Sequence, residues 1–176
     1  MSHPSTERSF ALPRAGNGAL LILLVLDATM FALAAWFFLQ AEPSGPALWI
    51  ALVILLSLSG LFTWLMIGQL RSRVVVRADG LLIDVPLYRR TEAWKGLKVE
   101  EAEIIQDPLP DTWKLKWRMN GIGLPGYMVG WFSTRTGERV FAAMTKAPIV
   151  RIPTTGRHHL LLSVDDPEGF LKALKA

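Results

Sequence analysis

The chain has no cysteine, so it can hold no disulfide framework, no thiolate metal site and no cysteine nucleophile. Charge is scarce as well: Asp, Glu, Lys and Arg make up 19% of 176 residues, against 51% hydrophobic. Soluble domains run near 25% charged, so a deficit of this size excludes an ordinary water-soluble domain and a disordered tail alike. It directs attention to where the charge is missing. The length leaves room for one domain and an anchor but not for two full domains.

Two segments account for the deficit. Gly18–Leu39 carries one charge, Asp27, and Ala47–Gly68 carries none, each over 22 residues. A helix of that length spans about 33 Å, enough to cross a hydrocarbon core of about 30 Å. A secretory h-region is shorter, roughly 7–15 residues, and here a second apolar run follows directly. Two nearly chargeless helices buried in a soluble protein would need more surrounding chain than this sequence offers. The connection Gln40–Pro46 has two prolines and a glycine, which stop the first helix and reverse the chain. The expectation is a transmembrane hairpin, 18–39 and 47–68, behind an N-terminal tail, 1–17.

Arg8 and Arg14 precede the first span, Arg71, Arg73 and Arg77 follow the second, and the loop between has neither Lys nor Arg. By the positive-inside rule both termini are cytoplasmic, with Trp36 and Trp49 at the depth of an aromatic belt on the far side. An ionisable residue inside a span is costly and invites a functional reading. In an antiparallel hairpin, however, Asp27 falls level with Ser59 and Thr63, and the Ser57–Gly60 stretch offers hydroxyls and a glycine for close helix approach. A structural hydrogen bond is therefore preferred over a proton relay or a partner contact.

Residues 71–176 hold 17 Lys and Arg against 12 Asp and Glu, a net +5. Arg73–Arg77 and Leu81–Val85 flank Asp79-Gly80, a hairpin signal. Further strands are expected at Leu87–Trp94, Ala102–Gln106, Trp113–Arg118, Tyr127–Thr134, Arg139–Met144, Ile149–Ile152 and Leu160–Ser163, short and evenly spaced as in a sandwich or barrel. The end of the chain changes period. Asp165 or Asp166 can cap a helix, Pro167 suits its first position, and Phe170, Leu171 and Leu174 share a face.

Residues 118–132, RMNGIGLPGYMVGWF, resemble the NG-x-G-x-PGY-x-x-G-x-F signature of the bacterial pleckstrin-homology-like (PH-like) family found behind two transmembrane helices. Asp79-Gly80-Leu81 and the run Leu162–Leu171 resemble the same family. The resemblance covers about residues 71–176. It implies a mainly-β PH-like barrel of about seven strands with a C-terminal α-helix, in a multi-pass protein of the bacterial cytoplasmic membrane. The family is defined by fold and topology rather than by an activity.

Asn120–Gly130 has four glycines and a proline, which suits a loop better than a strand interior. It lacks the G-x-x-x-x-G-K-[ST] form of a phosphate-binding loop, so a partner or ligand loop is expected, formed by Arg118, Asn120, Gly121, Gly123, Pro125, Gly126 and Tyr127. Arg71 and Arg73 sit where anionic headgroups would attract them nonspecifically. The basic group Arg89, Arg90, Lys95 and Lys98 is read as a solvated face. Trp94, Trp113, Trp117 and Trp131 are read as core rather than as a platform for nucleic acid or peptide. His158 and His159, adjacent on a strand, point to opposite faces, which disfavours a shared metal. No serine sits in a nucleophile elbow and no catalytic constellation is visible.

The sequence therefore points to a non-enzymatic, cofactor-free adaptor that binds a protein or peptide at the cytoplasmic membrane face. An anionic-lipid-sensing module and an accessory subunit of a membrane enzyme or transporter are the alternatives. The absence of cysteine makes topology directly testable. In intact cells a Ser44→Cys variant is expected to react with an impermeant maleimide, and a Thr155→Cys variant only after lysis; the reverse pattern would invert the hairpin.

Overall fold

A computed structural model of the protein describes residues 7–40, 46–107, 109–146 and 148–176. Two long helices, α1 (Asn17–Gln40) and α2 (Pro46–Gln69), bracket the connection, whose residues 41–45 lie outside the described residues. The least exposed positions of α1 include Ala19, Leu23, Asp27, Met30 and Ala34; those of α2 include Leu52, Leu55, Ser59, Phe62, Met66 and Gln69. These threes and fours are the seam of an antiparallel helix pair, with small residues allowing close approach. Outside the seam the apolar side chains lie bare, up to 65% exposed at Phe38 and 81% at Leu39. Both helices are long and apolar enough to cross a membrane and neither is covered by protein, which associates the chain with a membrane. Gly60 is not the close-approach residue expected: it faces outward, and a Cβ there would meet nothing within 4 Å. Ser59 occupies the seam instead.

The rest of the described chain is mainly β. One sheet has the order β1-β2-β3-β4, formed by β1 (Arg8–Ala11), β2 (Arg73–Val76), β3 (Gly80–Val85) and β4 (Tyr88–Ala93), all antiparallel. The second comprises β5 (Glu103–Ile105), β6 (Leu115–Leu124), β7 (Tyr127–Thr134), β8 (Arg139–Met144), β9 (Ile149–Pro153) and β10 (His159–Leu162), in the order β5-β9-β10-β8-β7-β6. Helix α3 (Pro167–Leu174) ends the chain. The described strands thus make two separate sheets with no closed barrel, and β10 runs parallel to β8.

Two departures from the sequence reading have clear physical causes. Residues 1–17 were expected to be a tail, yet Arg8–Ala11 pairs with β2 from Arg8↔Val76 to Ala11↔Arg73. Four residues with one large apolar side chain carry no strand signal of their own; β2 supplies the template. The expected glycine-rich loop over Asn120–Gly130 is instead strand, turn and strand. Gly121 stands opposite Gly130, with φ of +150° and +122°. An added Cβ would fall 2.2 Å from the Val129 carbonyl oxygen at Gly121 and 2.4 Å from that of Asn120 at Gly130. The glycines bring two strand backbones together and follow irregularities in β6, where the register slips between Leu115 and Trp117 and between Arg118 and Asn120.

The main core lies between the sheets. Val74, Val76, Leu81 and Ile83 meet Val129, Phe141, Val150, Ile152, Leu160 and Leu162, and Phe170 of α3 closes one end with its ring 5.1 Å from that of Phe10 on β1. Gly169 N–H donates to the Asp166 carboxylate at 2.9 Å, capping α3 as expected. A smaller cluster on the other face of the second sheet packs Phe132, Val140, Ala142 and Leu161 under Leu109, Trp113 and Leu115. The first core runs on into the root of α1 through Leu12, Ala15 and Ala19.

Because the Gly121/Gly130 contact is backbone on backbone, Gly121→Ala is expected to cost about 3 kcal/mol or more, from steric overlap added to left-handed strain. Gly137→Ala, at φ +89° with nothing within 4 Å, should lose only about 1–2 kcal/mol. Denaturation midpoints of the full chain in detergent check the difference.

Candidate functional site

The residues expected to form a partner loop are brought together, but for a different task. Pro125 and Gly126 form the tip of the β6–β7 hairpin, with Gly126 at φ +72°, the proline-glycine pattern of a type II turn. The tip rests on the base of α1: the Gly16 N–H donates to the Gly126 carbonyl at 3.2 Å, and a Cβ on Gly126 would stand 3.4 Å from the Gly16 Cα. Tyr127, expected to face a ligand, is buried beside Ser72, where no group completes a full hydrogen bond to its hydroxyl. Burial pushes its phenol up to about 12, only partly offset by Ser72. Asn120 Oδ1 accepts from the Tyr88 hydroxyl at 3.0 Å, tying edge strand β6 to edge strand β4. Gly121 and Gly123 lie inside β6, and Arg118 lies along it, exposed. The segment is a brace between domain and helix, and Arg118 keeps its side chain exposed along β6.

In the helix seam the Ser59 hydroxyl donates to Asp27 Oδ1 at 2.5 Å and the Thr63 hydroxyl to Oδ2 at 3.4 Å. Both carboxylate oxygens have a partner on the other helix, which is the structural bond the spacing predicts.

Arg71 and Arg73 meet at the end of α2. There a cleft of about 650 Å³ opens between the last turn of the helix and the outer face of the first sheet. Arg73 stands opposite Ala11 on β1 and Asp84 on β3, and its guanidinium lies 3.6 Å from the Asp84 carboxylate. Arg71 has no ion-pair partner among the described residues, and its charge suits the C-terminus of α2.

The sequence reading missed an exposed patch on β6. Trp117 is 66% and Met119 56% exposed, although Trp117 was expected in the core. The apolar alternation Trp113, Leu115, Trp117, Met119 places all four on one face of a regular strand. The extra residue at Lys116 reverses the phase, so Leu115 packs with Trp113 while Trp117 turns away. Lys116 and Arg118, on either side of Trp117, have no ion-pair partner among the described residues. The other three Trp are partly buried against the two cores.

A polar cluster joins the sheets at the other end. Arg90 on β4 pairs with Glu92 and lies 4.7 Å over the Trp131 ring, which Arg139 approaches at 4.4 Å. His158 is 3.4 Å from Glu92 and 5.2 Å from Trp131, whereas His159, on the opposite face, packs on Trp113 at 4.9 Å. Arg90 is therefore half-buried on an aromatic face rather than simply solvated. Among the described residues no group of three His, Asp or Glu side chains is placed to hold a metal.

No protein-family model, no curated protein and no solved structure matches the chain.

Burial lowers the pKa of both histidines below the ordinary 6.5; Glu92 opposes this at His158, while Arg151 adds to it at His159. The folded state then favours the neutral imidazoles, and the unfolded chain takes up protons first as pH falls. Their contribution is complete above about pH 6.5 and is lost as the pH drops below it. The denaturation midpoint should fall between about pH 7 and pH 5.5, and the double variant His158→Gln/His159→Gln should flatten that slope. An unchanged slope would assign it to other groups.

Proposed function

We propose that the protein is a membrane-anchored, non-catalytic adaptor of the bacterial cytoplasmic membrane, with its PH-like domain on the cytoplasmic side and its docking face on β6. The observation that carries this reading is the Lys116-Trp117-Arg118-Met119 run: a large aromatic and a thioether, both more than half exposed, on an edge strand beside two cations with no ion-pair partner among the described residues. Trp and Arg are the residue types that dominate binding hot spots, and Met adapts to irregular surfaces. The two register slips and the cations make β6 a poor template for a regular added strand. The partner would therefore engage side chains, and the chemistry that fits is an acidic segment with an apolar anchor.

Support for the membrane arrangement comes from the pairing of β1 with β2, which puts the segments before α1 and after α2 on the same side of the helices. Two crossings, or none, satisfy that pairing; one does not. The excess of arginine at these ends favours the cytoplasm for that side.

Full-length protein extracted in mild detergent is expected to retain a stoichiometric partner. Trp117→Ala and Arg118→Glu should each reduce retention at least about tenfold, a typical hot-spot effect, while Lys175→Ala should not. Equal retention in all variants would remove β6 as the docking face. An enzymatic activity that survives removal of every partner would replace the adaptor reading altogether.

A further inference from the structure

We infer that the cleft at the end of α2 is a binding site for one anionic phospholipid. This inference rests on the membrane-spanning reading above and is independent of the β6 docking face. The cleft, about 650 Å³ in volume, has two unlike walls. Trp64 and Ile67 come from the final turns of α2 and Leu70 directly follows it, where a crossing helix meets the headgroup layer. The polar side is formed by Arg71, in the turn that follows α2, together with Arg73 and Asp84 of the sheet. An amphiphile with an apolar tail and an acidic head matches that division, with acyl chain along the helix and phosphodiester at the arginines.

Charge selects the headgroup class. Asp84, at 3.6 Å, offsets Arg73, leaving the three ionisable groups with a net +1 centred on Arg71, which has no ion-pair partner among the described residues. A lipid of net −1 neutralises the cleft. A zwitterionic lipid brings its own cation and leaves the excess unchanged. Leu87, exposed at the rim with φ +68°, is the one described non-glycine residue in the left-handed region, and it presents a further apolar side chain beside the bilayer.

Any arginine at a membrane surface draws anionic lipid, so the shape of the cleft must be tested separately from its charge. Ser9 and Ala11, two apart on β1, both line it, which points their side chains inward. Ala11→Phe fills the cleft and leaves every charge in place. The experiment is native mass spectrometry of the full-length protein in detergent, titrated with dioleoyl phosphatidylglycerol, phosphatidylethanolamine or phosphatidylcholine. The expected result is one phosphatidylglycerol per chain, held on the order of tenfold more tightly than the other two. That preference should be lost in Arg71→Gln/Arg73→Gln and equally in Ala11→Phe and Leu87→Trp, with the circular dichroism melt confirming that each variant is folded. Equal retention of the three lipids, or a preference that survives both cleft-filling variants, overturns the site. Failure of the protein to stay in membranes after alkaline extraction would instead overturn the spanning reading on which the site rests.

Discussion

The arrangement depends on one antiparallel pairing, β1 with β2. These strands are far apart in sequence and are separated by the whole helical hairpin, yet they lie side by side in register from Arg8↔Val76 to Ala11↔Arg73. The ladder continues past the strands, with Leu12 N–H donating to the Ser72 carbonyl at 3.1 Å. Both helices therefore leave the domain from neighbouring strands of one sheet, and neither has a flexible tether. The glycine contact between Gly16 and Gly126 adds a second point of attachment, from the other sheet, at the root of α1. A helix pair held at both roots and at a hairpin tip fixes the β unit relative to the two helices.

That fixation explains how polar and apolar residues are distributed. At the root of α1, contacts are backbone on backbone or between small and apolar side chains: Gly16, Gly126, Ala15, Ala19. At the far end the sheets are joined by charged and aromatic groups, the Arg90, Glu92, His158 and Trp131 cluster. Close packing tolerates little adjustment and gives a rigid joint, while a half-buried polar cluster is sensitive to protonation. Between them runs β6, anchored at its Leu124 end beside the helix root and bare at its Trp117 end.

Much of this was legible in the sequence. The two apolar runs defined the helices to within a residue or two at each end, because a bilayer-length apolar stretch has few other solutions. Asp27 facing Ser59 and Thr63 followed from antiparallel geometry alone. The hairpin of Tyr127–Thr134 with Arg139–Met144 matched its expected limits, as local alternation and a Thr-Gly turn determine such pairs. What local pattern could not show were features imposed from a distance. Arg8–Ala11 is a strand only because β2 is beside it. Gly121 and Gly130 look like loop residues until their cross-strand positions are known, and one inserted residue at Lys116 decides which face Trp117 occupies. The division into two sheets, with β10 parallel to β8, is likewise a matter of long-range order that strand spacing does not encode.

The position of β1 ahead of the helices also has a bearing on biogenesis. As the chain emerges during synthesis, Arg8–Ala11 appears first and must wait, unpaired, until both helices and then Arg73–Val76 have followed. If only one helix entered a bilayer, the two strands would end on opposite sides and their sheet could not close. A completed sheet is thus compatible with two crossings or with none, and incompatible with a single one. A misinserted chain would expose the Val74–Val76 edge and its apolar face, the kind of surface that quality-control proteases and chaperones recognise.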